Sequence, residues 1–221
     1  MLRGKKVILR PIDIESDLKC FQRWVNDLDV VRFLGKPLKP VTKEKERELL
    51  QKLLCDESNI MFAIETFEGT HIGITGLHKI SYFDGTAVTG TFIGDKRYWG
   101  VGYGTDAKML LLWYAFKMLN LRRINSAVIA FNKRSLGCQL KCGYAVEGVK
   151  RKEVYKNGHY HDLVLLAVFR KGWMKRWREY QRGAFWAEKR DRKGCGEKKI
   201  SPVLIWPGTY TSGGRRHTVC S

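Results

Sequence analysis

Between Arg97 and Ala107 the chain reads Arg-Tyr-Trp-Gly-Val-Gly-Tyr-Gly-Thr-Asp-Ala, with three alternating glycines ahead of a helical pattern. A strand-like run, Thr91-Phe92-Ile93-Gly94, comes just before. Glycine lets the backbone turn tightly and lets a ligand come close to it. Successive N–H groups in such a turn point inward and form an anion nest. A helix starting near Thr105 adds unpaired first-turn N–H groups and the positive end of its dipole. Strand, glycine turn and helix start, in that order, point to a cradle for phosphate or pyrophosphate. An ordinary glycine-rich turn is the plainer alternative.

Two familiar phosphate loops do not fit. A Walker loop needs Gly-Lys-Ser/Thr, and no lysine follows these glycines. A dinucleotide fold places Gly-x-Gly-x-x-Gly in its first βα turn, with an acid about 20 residues later. Here the spacing is Gly-x-Gly-x-Gly, the loop comes late in the chain, and residues 121–125 contain no acid.

Composition narrows the class further. With 221 residues, 44% of them hydrophobic, the chain can build one sizeable core and carry an extension. The longest apolar run, Met109 to Phe116, is flanked by Lys108 and Lys117 and is too short to span a bilayer. No apolar stretch of signal-peptide length lies near Met1, so a cytoplasmic protein with no membrane partner is expected. Six scattered cysteines, Cys20, Cys55, Cys138, Cys142, Cys195 and Cys220, suit reduced thiols better than a disulfide framework. Cys138, Cys142, His159 and His161 could be drawn together around zinc, but their spacing is not that of a finger, and no metal is expected. The net charge is +19, and residues 170–221 hold 14 Lys/Arg against 4 Asp/Glu. A basic body suits an anionic cofactor or a nucleic-acid surface.

The pattern of elements is readable in outline. Residues 5–10 read as a strand. Asp13 caps a helix through about Val25, and Thr42 caps a second with Leu49, Leu50, Leu53 and Leu54 on its apolar face. Strands over 60–66, 71–80 and 87–94 are separated by Glu68-Gly69 and Asp84-Gly85 turns. A helix over 105–119 is apolar around most of its circumference and should be buried. A strand over 123–130, a short helix over 135–142 and a hairpin turning at Asn157-Gly158 complete the series. This order predicts an α/β (α+β) domain with a mixed, mostly antiparallel central sheet and helices on both faces.

Several segments together carry a resemblance. Arg97-x-x-Gly100-x-Gly102 matches the Arg/Gln-x-x-Gly-x-Gly loop of the GNAT acetyltransferases. Leu9-Arg10-Pro11, Trp24-Val25-Asn26-Asp27, Ile93 to Ala107, Asn132-Lys133-Arg134-Ser135, Lys141-Cys142-Gly143-Tyr144, Glu147-Gly148 and Asn157 to Asp162 resemble the RimJ/RimL-like branch of that superfamily. The resemblance covers about residues 5–172. It implies a GNAT domain over 1–172 followed by a basic, Trp-containing extension over 173–221. It also implies a splayed pair of parallel strands, 87–94 and 123–130, that admits acetyl coenzyme A.

The resemblance also assigns candidate roles. Arg97, Gly100, Val101, Gly102, Tyr103, Gly104 and Thr105 would hold the pyrophosphate, with Lys133 and Arg134 toward the outer phosphates. Asn132 matches a family position that binds the pantetheine arm, although it could equally cap the next helix. Phe92 and Gly94 lie where the family's strand backbone meets the acetyl group. Trp24 and Asn26, beside Asp27, would line the acceptor pocket. Many members place a tyrosine after Asn132 to protonate the departing thiolate, and that position here is Gln139. Glutamine cannot be a general acid. Ser135 matches a serine proposed for this role in RimL-like enzymes. Glu147, Glu153 and Asp162 are the candidate bases, and histidine, a residue type suited to acid–base work near neutrality, stands at the hairpin as His159 and His161.

The implied activity is acetyl transfer from acetyl coenzyme A to an amine, either a protein N-terminus or a small molecule. Gln139 also admits a binding protein that keeps the fold without turnover. For the extension, which includes Trp173, Trp177 and Trp186, three readings stand. It could pack on the domain or form a homodimer arm, bind nucleic acid or a membrane surface, or lack a fixed fold.

Overall fold

The computed structural model describes residues 1–34, 39–183 and 185. Strands β1 (Leu2–Arg3) and β2 (Val7–Arg10) lead into helix α1 (Ile14–Val25), the short α2 (Leu28–Val31) and α3 (Lys43–Cys55). Then come β3 (Ile60–Thr66), β4 (His71–Ser81), β5 (Thr86–Ile93), α4 (Tyr103–Trp113), β6 (Arg123–Ile129), α5 (Lys133–Lys141), β7 (Ala145–Lys156), β8 (His159–Phe169) and α6 (Arg170–Gln181). The helix starts follow local chemistry. The Asp13 carboxylate accepts the Glu15 N–H at 3.1 Å, the Thr42 hydroxyl accepts that of Lys45 at 3.2 Å, and Asn132 Oδ1 accepts that of Ser135 at 3.1 Å.

The strands form one sheet in the order β1-β2-β3-β4-β5-β6-β8-β7. Every neighbouring pair is antiparallel except β5 and β6. Tight turns join β1–β2, β3–β4, β4–β5 and β7–β8, longer connections bring β2 beside β3 and β6 beside β8, and the β5–β6 step, which crosses over through α4, is parallel. Helices cover both faces. Successive residues of a strand face opposite ways: Phe92 packs on Trp24 of α1 at 6.2 Å between ring centroids, while Ile93 faces Gly104 of α4. On the α1 face, Leu18, Phe21, Trp24, Val30 and Leu50 form a core cluster. The opposite core is built on α4, where Ala107, Met109, Leu111 and Leu112 are fully buried.

Four sequence expectations shift. The strand expected over 5–10 shortens to β2, and β1 precedes it across a turn in which the Gly4 N–H donates to Val7 O at 2.8 Å. Of the four α3 leucines only Leu50 is buried; Leu49 and Leu54 face solvent, because a single stripe of this helix meets α1. The buried helix starts at Tyr103 and passes into a π turn over Tyr114–Met118. Helix α6 runs across the expected 172/173 boundary. Its Trp173 packs on Phe116 at 5.2 Å and stacks on Trp177, which tilts against Trp113. Residues 1–185 form one unit. The readings placed on Trp186 and the chain after it lie outside the described residues.

Candidate active site

The parallel pair opens. β5 and β6 are in register at Thr86/Arg123, Ala87/Ile124 and Val88/Asn125, and there the pairing stops. Both strands run on, β5 to Ile93 and β6 to Ile129, each still paired on its outer side with β4 or β8. Their inner edges therefore face a gap with main-chain groups that have no ladder partner. Such groups call for hydrogen bonds from water or a ligand.

The cradle stands at the β5 end of this gap. Gly100 and Gly102 have φ of +75° and +100°, which L side chains rarely adopt. Gly102 is the N-cap of α4, and the Asp106 N–H closes the first helical bond on Gly102 O at 3.0 Å. The N–H groups from Val101 to Thr105 have no main-chain acceptor among the described residues. Trp99 pins the loop. Its Nε1 donates to Ile93 O at 2.7 Å, and the Arg134 guanidinium lies 4.1 Å from its ring.

Several expected site residues have other duties. Arg97 is exposed and tied to Asp95 at 2.6 Å. Its guanidinium holds the Asp95 carboxyl below the usual carboxylate range. Arg134 lies over Trp99 and Phe33, and Lys133 is exposed at the helix start. Asn132 is the α5 cap. Phe92 and Gly94 are corrected by the strand's alternation. The Gly94 N–H donates to Ile72 O at 2.9 Å, and a Cβ on Gly73 would lie 2.2 Å from Phe92 O, so both turn their polar groups toward β4. Thr91 and Ile93 are then the residues whose N–H groups face the gap. Gly94 instead gives Trp24 room: a Cβ there would meet the indole at 2.0 Å.

The acceptor assignments move as well. Trp24 is buried in the α1 core. Asn26 clamps the chain ahead of α3, its amide donating to Val41 O at 2.9 Å and accepting the Val41 N–H at 2.9 Å. Of the candidate bases, Glu147 is bidentate with Arg123 at 2.8 and 2.5 Å, at the closed end of the β5–β6 pair. Arg123 also lowers its pKa. Glu153 pairs with Lys150 at 2.9 Å, and Asp162 accepts the Lys152 N–H at 2.8 Å. Ser135 sits in the first turn of α5. Cys138 and Cys142 meet Thr105 of the cradle helix, at 3.5 and 3.8 Å, whereas His161 packs on Phe131.

A buried polar chain lies just beyond the last rung. Lys108 Nζ donates to Thr89 Oγ1 at 3.1 Å, and Thr89 Oγ1 meets the Tyr144 hydroxyl at 2.8 Å. Burial pushes the Lys108 ammonium below the usual lysine range. Across the gap Gln139 Nε2 donates to Ser126 Oγ at 2.8 Å. Sequence reasoning gave Lys108 no role, although a lysine inside a helix expected to be apolar around most of its circumference was a usable signal.

A strand pair splayed past three rungs, beside a glycine cradle at a helix start, is the geometry that the resemblance anticipated. The chain matches the family model described as "Acetyltransferase (GNAT) domain" over residues 6–145, which takes in both cradle and gap. This chain belongs to the GNAT acetyltransferase family. It is 28% identical over 170 residues to the spermidine N(1)-acetyltransferase of Escherichia coli K12, covering 76% of this chain and 89% of that protein. It is 31% identical over 107 residues to YdaF of Bacillus subtilis, provisionally named a ribosomal N-acetyltransferase, covering 48% and 58%. The Vibrio cholerae spermidine N-acetyltransferase, solved with CoA and spermine, shares the fold at a TM-score of 0.70 and 23% identity, covering 76% and 98%.

As a GNAT acetyltransferase the protein uses acetyl-CoA as co-substrate and acetylates an amine. The residues present suit that cofactor. The five main-chain donors of Val101–Thr105 fit a pyrophosphate, and the unpaired edges of β5 and β6 fit an arm bearing two amides.

Proposed function

We propose that this GNAT enzyme, as a member of the RimJ/RimL-like branch, acetylates an α-amino group, with a protein or peptide N-terminus as acceptor. In this reading the cradle amides hold the pyrophosphate and the gap holds the pantetheine arm. Bound there, acetyl-CoA supplies the activated acyl group. The Thr91 and Ile93 N–H groups are the donors available to polarise a carbonyl in the gap.

The observation that carries the choice of acceptor is the state of the carboxylates. Glu147, Glu153 and Asp162 are each committed to a structural partner. On the α1 face, Asp17 is held by Arg10 and Asp27 by Lys96. An acceptor nitrogen must lose its proton before it attacks. An α-amine has a pKa of about 7.7–8.0, against about 10.4 for a lysine-type amine, so it needs far less help from a base. A polyamine, carrying several positive charges, would also approach a strongly basic surface.

The departing thiolate makes a similarly small demand. Free thiols titrate near about 8.5, so the group leaves as a tolerable anion near neutrality, and Ser135 stands by as a weak donor. Thiol release measured with peptides, spermidine and Nα-blocked lysine tests the reading. Peptides with a free α-amine are expected to give the highest kcat/KM at pH 7.5. A preference for spermidine, as the names of the relatives suggest, would overturn it, and release with none of these amines would point to a binding protein instead.

A further inference from the structure

Gln139 carries an unmet hydrogen bond. Its side chain is 5% exposed, Nε2 donates to Ser126 Oγ, and Oε1 is buried without a partner. Turning the amide over does not cure this. The Ser126 hydroxyl can pair with either end of the amide, and the other end is then left bare. A buried polar group in that state costs about 1–3 kcal/mol relative to a satisfied one, so its retention calls for an explanation.

Its position supplies one. Ser126 is the residue immediately after Asn125, the last β6 residue paired with β5. The Gln139 amide therefore stands beside the start of the gap, on the face where α4 and α5 lie. On the other wall Thr89, the first β5 residue past the last rung, is already satisfied by Lys108 and Tyr144. Beside the start of the gap, one buried side-chain amide end is thus left without a partner. The molecule expected there, on the cofactor reading above, brings two amides and a sulfur.

We infer that Gln139 is a cofactor-positioning residue whose free amide end hydrogen-bonds the pantetheine arm, at an amide or at the thiol. This site recognises the arm of the cofactor, and the cradle recognises its phosphates. Glutamine here trades proton donation for hold.

Calorimetry with four ligands tests the inference: CoA, acetyl-CoA, desulfo-CoA, and adenosine 3′,5′-bisphosphate, which lacks the arm. Gln139→Leu is expected to weaken CoA binding about tenfold while leaving the bisphosphate unchanged. An equal loss for desulfo-CoA assigns the bond to an amide; a loss confined to CoA assigns it to the thiol. Gln139→Met, closer in shape, repeats the measurement should the leucine variant melt early. Unchanged CoA affinity, or an equal loss for the bisphosphate, would overturn the inference. Failure of the wild-type protein to bind CoA would instead overturn the cradle reading on which it rests.

Discussion

Lys108 shows most directly how one residue can shape the site. Its ammonium is fully enclosed, with Thr89 as hydrogen-bond acceptor and the Tyr144 ring 5.9 Å away. Desolvation lowers its pKa in the folded state, while the unfolded chain keeps the ordinary value near about 10.4. Between those two values the unfolded state binds more protons, so stability rises with pH across that window; below both, the burial penalty is constant. Lys108→Met removes the titrating group. Urea unfolding at a series of alkaline pH values should show the wild type gaining on the variant across the window and levelling off beyond it. A difference that does not vary with pH would mean that the amine is already solvated.

At the scale of elements, the cradle depends on Gly102 as the α4 cap at φ +100°. Gly102→Asp adds backbone strain and a negative charge at the start of α4, in the loop proposed to hold the pyrophosphate. Calorimetry should find acetyl-CoA binding reduced at least about a hundredfold, with the melting temperature less affected. Binding at wild-type strength would sink the cradle. This part of the site was legible in the sequence because glycine spacing and a helix start are local signals. So were the Asp13 and Thr42 caps and the Asn157-Gly158 turn, where both residues adopt positive φ. The roles of Phe92 and Gly94 were not legible, because which strand edge a main-chain group faces is set by pairing with β4, a long-range choice. Trp24 and Asn26 were misplaced for a related reason. An aromatic and an amide near a site look alike in sequence whether they line it or brace it. Gln139 was noted for what it lacks, and only the fold revealed the amide end it leaves unmet.

For the whole molecule, Asp106 is the point where distant parts of the chain meet. Its buried carboxylate accepts the N–H groups of Lys5, Lys6 and Val7 at 3.1, 2.8 and 3.0 Å and the Tyr180 hydroxyl at 2.7 Å. The helix that carries the cradle is thereby bound to the first strands and to α6. Composition suggested a basic extension from residue 173, but the apolar face of α6, with Trp173 and Tyr180 buried, makes that helix part of the core. Tyr180→Phe should lower stability by about 1.5–3 kcal/mol in urea unfolding, the range for a hydrogen bond to a charged group. Ending the chain after Phe169 should abolish cooperative melting. A truncated protein that melts like the full chain would show that α6 merely rests on the surface.

The three rungs between β5 and β6 carry one more consequence. A sheet stitched along most of its width but for a short seam in the middle behaves as two panels on a common spine. Amide exchange should run fast along that seam in the empty protein and slow there when ligand supplies the missing stitches. The fold then grips its own two halves harder each time it grips its cofactor.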